Sequence, residues 1–174
     1  QKCQILNEYN FKYLKYKASN GTDLKIGLNK DNVWLGGGET TLKGRFFNPN
    51  IPTEECFGMP DKNDVEGIVY SSKPLSYGGE LIENFSMRFE KGKVVEVLAN
   101  EGKEMLEALV NTDENAGYLG EAALVEYSSP ISQSGLVYYN TLIDENASCH
   151  LALGRCLQDT TGKEDLLNTS TIHI

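Results

Sequence analysis

The stretch Ile143-Asp-Glu-Asn-Ala-Ser-Cys-His-Leu-Ala-Leu-Gly-Arg-Cys-Leu157 contains one of the two histidines of the chain together with two acidic residues. Its apolar residues follow helical spacing, and Asn146 is a residue type that caps helix starts by accepting a backbone N–H bond. We therefore expect a helix that begins after Asn146 and carries His150 in its second turn. Glu145 precedes this cap, so its carboxylate could bend towards the His150 imidazole and bind the same metal ion.

The size and charge of the chain limit its class and its partners. Its 174 residues, 40% of them hydrophobic and 24% charged, are typical of one soluble globular domain. The net charge of −9 opposes binding to nucleic acid and to anionic membranes, so neither is an expected partner. No apolar run reaches the roughly 20 residues of a membrane span, and the first residues lack the layout of a signal peptide. The absent initiator Met suggests a fragment.

The four cysteines indicate a reducing compartment. They form neither a C-x-x-C pair nor the dense framework of a disulfide-stapled secreted protein. We therefore expect a cytoplasmic protein. Cys149 and Cys156 are interpreted as small thiols that pack against the core, in preference to ligands or nucleophiles.

Apolar periodicity and turn signals predict a chain rich in strands. Residues at helical spacing predict one short helix near the start and another over Glu101–Val110. The predicted strands, with an Asn20-Gly21 turn between the first two, are Tyr16–Ala18, Leu24–Leu28, Val65–Ser71, Leu81–Phe89, Val94–Leu98, Gly120–Val125 and Thr171–Ile174. Because such strands outnumber two or three short helices, we predict an α+β fold with a mixed, mainly antiparallel β-sheet, as a single domain over residues 1–174.

A second acidic segment, Asn48-Pro-Asn-Ile-Pro-Thr-Glu-Glu55, has two prolines that stiffen the backbone just before paired carboxylates. This segment either positions ligands or forms a helical turn that Thr53 caps and whose first residues are acidic, as the helix dipole favours. Glu121 begins a largely apolar strand, where a carboxylate often needs a cation or a donor. The candidate ligands are rich in oxygen and include both histidines, which suits zinc, cobalt or manganese better than calcium. They are Glu54 or Glu55, Glu121, Glu145, His150 and His173.

Three motifs resemble the M29 family of metallo-aminopeptidases, the thermophilic-aminopeptidase group. They are Asn50-Ile-Pro-Thr-Glu-Glu55, Gly120-Glu-Ala-Ala-Leu-Val125 and Asp144-Glu-Asn-Ala-Ser-Cys-His-Leu-Ala-Leu-Gly154. They occur in the order of the family, and the resemblance extends over nearly all of the chain, including Gly21–Leu24 and Trp34–Glu39.

The resemblance implies a metal-dependent aminopeptidase that releases N-terminal amino acids from peptides and forms a homodimer. It implies a dinuclear centre with a bridging hydroxide, since two ions can polarise a carbonyl and generate hydroxide near neutral pH. The two divalent ions would be zinc, cobalt, manganese or magnesium, and their ligands Glu55, Glu121, Glu145, His150 and His173. Glu55 keeps the family's spacing to Glu121, which leaves Glu54 as a candidate catalytic proton acceptor.

The chain also departs from the family pattern, which leaves open a non-catalytic metal-binding or structural domain. Family members are longer and have an N-terminal α/β domain, so the chain is expected to be a C-terminal portion of a two-domain protein. The segment before His173 is shorter than usual, and the family's last ligand, an aspartate two residues after this histidine, would lie beyond Ile174. Leu157 replaces a family tyrosine with a role at the reacting carbonyl, and we expect it on the same helix face as His150.

The missing aspartate predicts that the 174-residue chain by itself is hydrolytically inactive and binds at most one divalent ion tightly. Four ligands suffice for tetrahedral zinc, whereas a second ion would depend on water ligands. Titration calorimetry with zinc should show one tight site per chain, and aminoacyl-anilide substrates should not be hydrolysed. Two tight sites, or turnover by the isolated chain, would contradict this prediction.

Overall fold

The computed structural model describes residues 1–49, 53–161 and 167–174. Strands dominate this part of the chain, and all of their pairings are antiparallel. The predicted α+β class is therefore confirmed. Four short α-helices are described, where two or three were predicted: Lys2–Tyr9 (α1), Lys103–Val110 (α2), Pro130–Ser134 (α3) and Thr141–Asp144 (α4). None of the described helices is both long and apolar enough to cross a membrane.

The strands of the described residues form four sheets. They are Tyr13–Lys17 (β1), Asp23–Leu28 (β2), Glu39–Thr40 (β3), Phe46–Phe47 (β4), Glu55–Gly58 (β5), Pro60–Tyr70 (β6), Leu75–Tyr77 (β7), Glu80–Ile82 (β8), Ser86–Glu90 (β9), Lys93–Leu98 (β10), Leu119–Val125 (β11) and His150–Leu153 (β12). The largest sheet has the order β1-β2-β6-β9-β10, the second has the order β12-β11-β5, and β3-β4 and β7-β8 are two-stranded.

One hydrophobic core joins the two larger sheets through α2. The helix α2 buries Leu106, Leu109 and Val110 in a cluster that includes apolar residues of the five-stranded sheet. Leu119 and Ala122 of β11 belong to the same cluster, with 1% and 0% of their surfaces exposed. Burial of a large aliphatic side chain stabilises a fold by about 1.5–3 kcal/mol. This core therefore fixes the position of β11 relative to the rest of the chain.

The first hairpin and the second helix form as predicted. The strands β1 and β2 pair antiparallel, and Gly21 between them has a φ of +102°, which favours glycine. The Asn20 side-chain oxygen accepts a hydrogen bond from the Thr22 N–H, which stabilises this turn. The predicted helix near the start of the chain is also present, and it ends at Tyr9.

Several local predictions differ from the structure. The predicted strand Leu81–Phe89 is divided into β8 and β9, with Asn84 at a φ of +48° between them. The helix α3, which the apolar periodicity did not predict, begins after Ser129, whose Oγ accepts from the Ser132 N–H, and ends before Gly135. The predicted strand at the C-terminus is reduced to a single bridge between His173 and Gly154.

The alternative in which Thr53 caps a helical turn is wrong, because the chain passes from Thr53 directly into β5. The preceding prolyl segment includes residues 50–52, which lie outside the described residues. After β12, the chain forms a 3₁₀-helix at Gln158–Thr160.

The predicted helix after Asn146 is wrong. The segment is a 3₁₀-helix, Glu145–Ala147, followed by β12, in which His150 pairs with Ala123 of β11. Pairing with a buried strand has overridden the helical spacing of the local sequence. Leu157 is therefore not on a helix face shared with His150 and is 42% exposed.

The cysteines of this segment have different environments. Cys156 is buried, as predicted, but Cys149 is exposed, so the prediction of a buried thiol is wrong for Cys149. Within the described residues both thiols are free, as are those of Cys3 and Cys56.

The turn between β9 and β10 generates a stability prediction. Gly92 has a φ of +84°, and a Cβ at this position would overlap the Lys62 carbonyl oxygen. Gly79 has nearly the same φ, +85°, but no atom within 4 Å of its Cβ position. Gly79→Ala should lower the free energy of unfolding by about 1 kcal/mol, because alanine disfavours the positive φ. Gly92→Ala should lower the free energy of unfolding further, because its Cβ also meets the Lys62 carbonyl. Equal losses in urea unfolding would contradict a steric role for the Lys62 carbonyl.

Candidate metal centre

The register of the three-stranded sheet brings three predicted ligands to one face. His150 of β12 lies opposite Ala123 of β11, and Glu55 of β5 lies opposite Val125 of β11. Side chains alternate along a strand, so Glu121, Ala123 and Val125 point to the same face of the sheet. Residues opposite them share that face. Glu55, Glu121 and His150 therefore converge, although they are far apart in sequence.

The ligand atoms of these three residues form a compact, buried cluster. One oxygen of each carboxylate and one nitrogen of the imidazole all lie within 4.8 Å of one another. His150 Nε2 is 2.8 Å from Glu55 Oε2 and 3.6 Å from Glu121 Oε1. The side chains of Glu55 and Glu121 are each 9% exposed. Such buried carboxylates are costly without a compensating positive charge.

His173 also lies near the Glu121 carboxylate. Its Nε2 is 3.9 Å from Glu121 Oε2, whereas His150 is nearer to Oε1. The bridge between His173 and Gly154 holds the C-terminal segment beside the end of β12. The Glu121 carboxylate thus presents a different oxygen to each imidazole.

Backbone carbonyls orient both imidazoles. His150 Nδ1 lies 3.2 Å from the Ser148 carbonyl oxygen, and His173 Nδ1 lies 2.6 Å from the Arg155 carbonyl oxygen. A carbonyl oxygen only accepts hydrogen bonds, so each Nδ1 carries the proton and donates. In the neutral imidazole Nε2 then keeps its lone pair and is the nitrogen that can bind a metal.

Glu145 lies at the first position of the 3₁₀-helix and lines a cavity of about 430 Å³ together with Glu121, His150 and His173. Burial raises the pKa of the Glu145 carboxyl, and the nearby charges of Glu55 and Glu121 raise it further, while His150 opposes them. The cavity wall therefore carries excess negative charge. Four of the five predicted ligands lie in this wall, and the fifth, Glu55, contacts His150.

The donor set fits a divalent cation. Glu55 Oε2 and His150 Nε2 are buried and face each other, yet neither atom has a hydrogen-bond partner of suitable geometry among the described residues. Two donor atoms this close together can bind the same cation. Carboxylate oxygens combined with imidazole nitrogens suit zinc, cobalt or manganese.

Glu54 has a different position from Glu55. It is half-buried and precedes β5, and its backbone N–H donates to the Asn146 side-chain oxygen. Within the described residues its carboxylate is not part of the three-residue cluster, so its catalytic role stays a prediction. Sequence reasoning missed the orienting carbonyls of Ser148 and Arg155, because any residue type supplies a carbonyl and no sequence signal marks it.

Comparison with known proteins assigns the chain to a family. A family model described as thermophilic metalloprotease (M29) matches residues 1–174. The chain belongs to the M29 metalloproteases. The resemblance of its motifs to this family is therefore confirmed.

Characterised relatives of this M29 chain carry aminopeptidase names. Aminopeptidase AmpS of Bacillus subtilis (strain 168) is 53% identical over 154 residues, which are 88% of this chain and 37% of the relative. Aminopeptidase T of Thermus thermophilus is 47% identical over 159 residues, or 91% and 39% of the two chains. Aminopeptidase PepS of Streptococcus thermophilus is 44% identical over 183 residues, which cover 99% of this chain and 44% of the relative. The chain thus spans 37% to 44% of the length of these relatives.

Solved structures resemble the fold at two levels of sequence identity. Wild-type AmpT from Thermus thermophilus superposes with a TM-score of 0.94 at 44% identity, covering 99% of this chain and 45% of that chain. The 2,5-dihydroxypyridine dioxygenase from Pseudomonas putida KT2440 has a TM-score of 0.63 at 15% identity, covering 97% of this chain and 50% of that chain. The second likeness concerns the fold alone.

The cluster predicts how the metal-free chain responds to pH. Burial alone would lower the pKa of His150, but the Glu121 and Glu55 carboxylates outweigh burial and raise the pKa to about 10. The unfolded value is about 6.5, so the protonated imidazole stabilises the fold fully below pH ~6.5, and this contribution disappears as the pH rises through about 10. In EDTA, the stability difference between wild type and His150→Gln should therefore shrink from pH 6 to pH 10 in urea unfolding. A difference independent of pH would contradict the raised pKa.

Proposed function

We propose that the chain is the metal-binding domain of a longer, two-domain cytoplasmic aminopeptidase that removes N-terminal amino acids from peptides. The convergence of buried ligand atoms from Glu55, Glu121 and His150, in a member of a metalloprotease family, carries this proposal. The aminopeptidase names of the relatives and the partial coverage of their length support it. We further propose a homodimer, as in the family that the motifs resemble.

Two divalent ions, of zinc, cobalt, manganese or magnesium, would be held by Glu55, Glu121, Glu145, His150 and His173. When bound, such ions supply Lewis-acid polarisation of the peptide carbonyl and a hydroxide nucleophile near neutral pH. Glu121 would serve both positions, because each of its oxygens faces a different histidine. Glu54 would accept the proton of the attacking water and return it to the leaving amine.

The competing proposal is a non-catalytic metal-binding or structural domain. Leu157 favours it, since this residue replaces a tyrosine of the family pattern and a leucine side chain cannot donate a hydrogen bond to the reacting carbonyl. Loss of one such donor typically lowers turnover by about 10²-fold or more. Metal-dependent hydrolysis decides between the two proposals.

The test uses the longer protein, added zinc or cobalt, and aminoacyl-anilide substrates. Metal-dependent turnover is expected, and Glu121→Gln should lower it by more than about 100-fold, because losing a ligand costs more than losing a residue that orients one. Glu126→Gln is the matched control, since this exposed acid on the same segment pairs with Lys2. The control should keep wild-type turnover. Absence of turnover with any of the proposed metals would favour the non-catalytic domain.

A further inference from the structure

We propose that Asn146 is a positioning residue that holds the carboxylate-bearing segments of the metal centre together. This inference rests on the metal centre of the proposed function and concerns a residue that does not itself belong to the ligand set. Asn146 has 0% of its surface exposed, so each of its polar groups needs a partner within the protein. Its described partners belong to three different segments of the chain.

The side chain of Asn146 joins the Glu55 strand to the Glu145 turn. Its Oδ1 accepts a 2.7 Å hydrogen bond from the Glu54 N–H, at the residue immediately before Glu55. Its Nδ2 donates a 3.1 Å hydrogen bond to the Leu142 carbonyl in α4, the helix that leads directly into Glu145. The Asn146 side-chain amide thus links the backbone at Glu54 to the backbone of α4. Because both an acceptor and a donor are needed, neither alanine nor aspartate can make the same pair of bonds.

The backbone of Asn146 adds the segment that follows Glu121. Its carbonyl oxygen accepts a 3.0 Å hydrogen bond from Ser129 Oγ, and the same hydroxyl accepts from the Ser132 N–H at the start of α3. Ser129 lies in the turn after β11, and its N–H donates to the Glu126 carbonyl. The chain leaving the Glu121 strand is therefore tied to the residue that follows Glu145.

These links oppose a specific force. Glu55, Glu121 and Glu145 carry like charges in a partly buried site, and carboxylates that share a site repel one another when no cation lies between them. A ligand displaced by as little as about 1 Å loses the geometry that a metal requires. Asn146 keeps the ligand backbones in place before an ion arrives, so its loss should weaken metal binding while all ligand atoms remain.

The experiment compares Asn146→Ala with Asn29→Ala. Asn29 is also a buried asparagine, 8% exposed, and its side chain accepts a hydrogen bond from the Asp31 N–H. Neither residue is close in sequence to a segment that carries a proposed ligand. Zinc affinity of the longer protein is measured by titration calorimetry, and stability by unfolding in EDTA. We expect Asn146→Ala to lower zinc affinity by about 10- to 100-fold, as for residues that orient ligands, and Asn29→Ala to leave it unchanged. Excess zinc should restore anilide hydrolysis to Asn146→Ala but not to Glu121→Gln.

Wild-type zinc affinity in Asn146→Ala, or an equal loss in Asn29→Ala, would overturn the positioning role. If Asn146→Ala does not fold, Ser129→Ala provides the test, since it removes one link and should lower zinc affinity several-fold; an unchanged affinity would overturn the proposal. A wild-type protein that binds zinc without hydrolysing anilides would refute the proposed function alone, because the affinity comparison would still decide the role of Asn146.

Discussion

The antiparallel pairing of β11 with β12 on one side and with β5 on the other is the constraint on which the site depends. Side chains alternate between the faces of a sheet, so a shift of one residue in either pairing would carry Glu55 or His150 to the opposite face. The register is protected by burial, because Ala122 and Ala123 of the central strand are completely inaccessible. The packing of β11 against α2 and the five-stranded sheet thus determines where the ligand atoms lie.

The same burial creates an electrostatic problem that the site shares with most metal centres. Three carboxylates and two imidazoles face a small volume. Among the described residues no lysine or arginine forms an ion pair with these carboxylates, and Lys73, which also lines the cavity, donates to the Leu136 carbonyl. Protonation of His150 compensates only part of the negative charge in the metal-free state. The hydrophobic core must therefore hold together a group of side chains that would separate in water.

The sequence is sufficient where the structural signal is local. The Asn20-Gly21 turn and the strand containing Glu121 are encoded by neighbouring residues, and both form as predicted. His150 was assigned to a helix because its neighbours have helical spacing, whereas its actual structure depends on pairing with β11. The expectation that Asn146 caps a local helix was wrong, because its side-chain oxygen accepts instead from the Glu54 N–H, which is 92 positions away. No local pattern contains that information, and only the family spacing pointed to Glu55 instead of Glu54.

The proposed ligand residues are distributed from residue 55 to residue 173, so a bound ion would slow the loss of the folded protein. The unfolded chain keeps these groups apart and has no preformed site, so a divalent ion held by them would bind the native state almost exclusively. An ion present at 1,000 times its dissociation constant then adds about 4 kcal/mol to the free energy of unfolding. The supply of metal in the cell would in this way set the fraction of chains that open and become accessible to proteases.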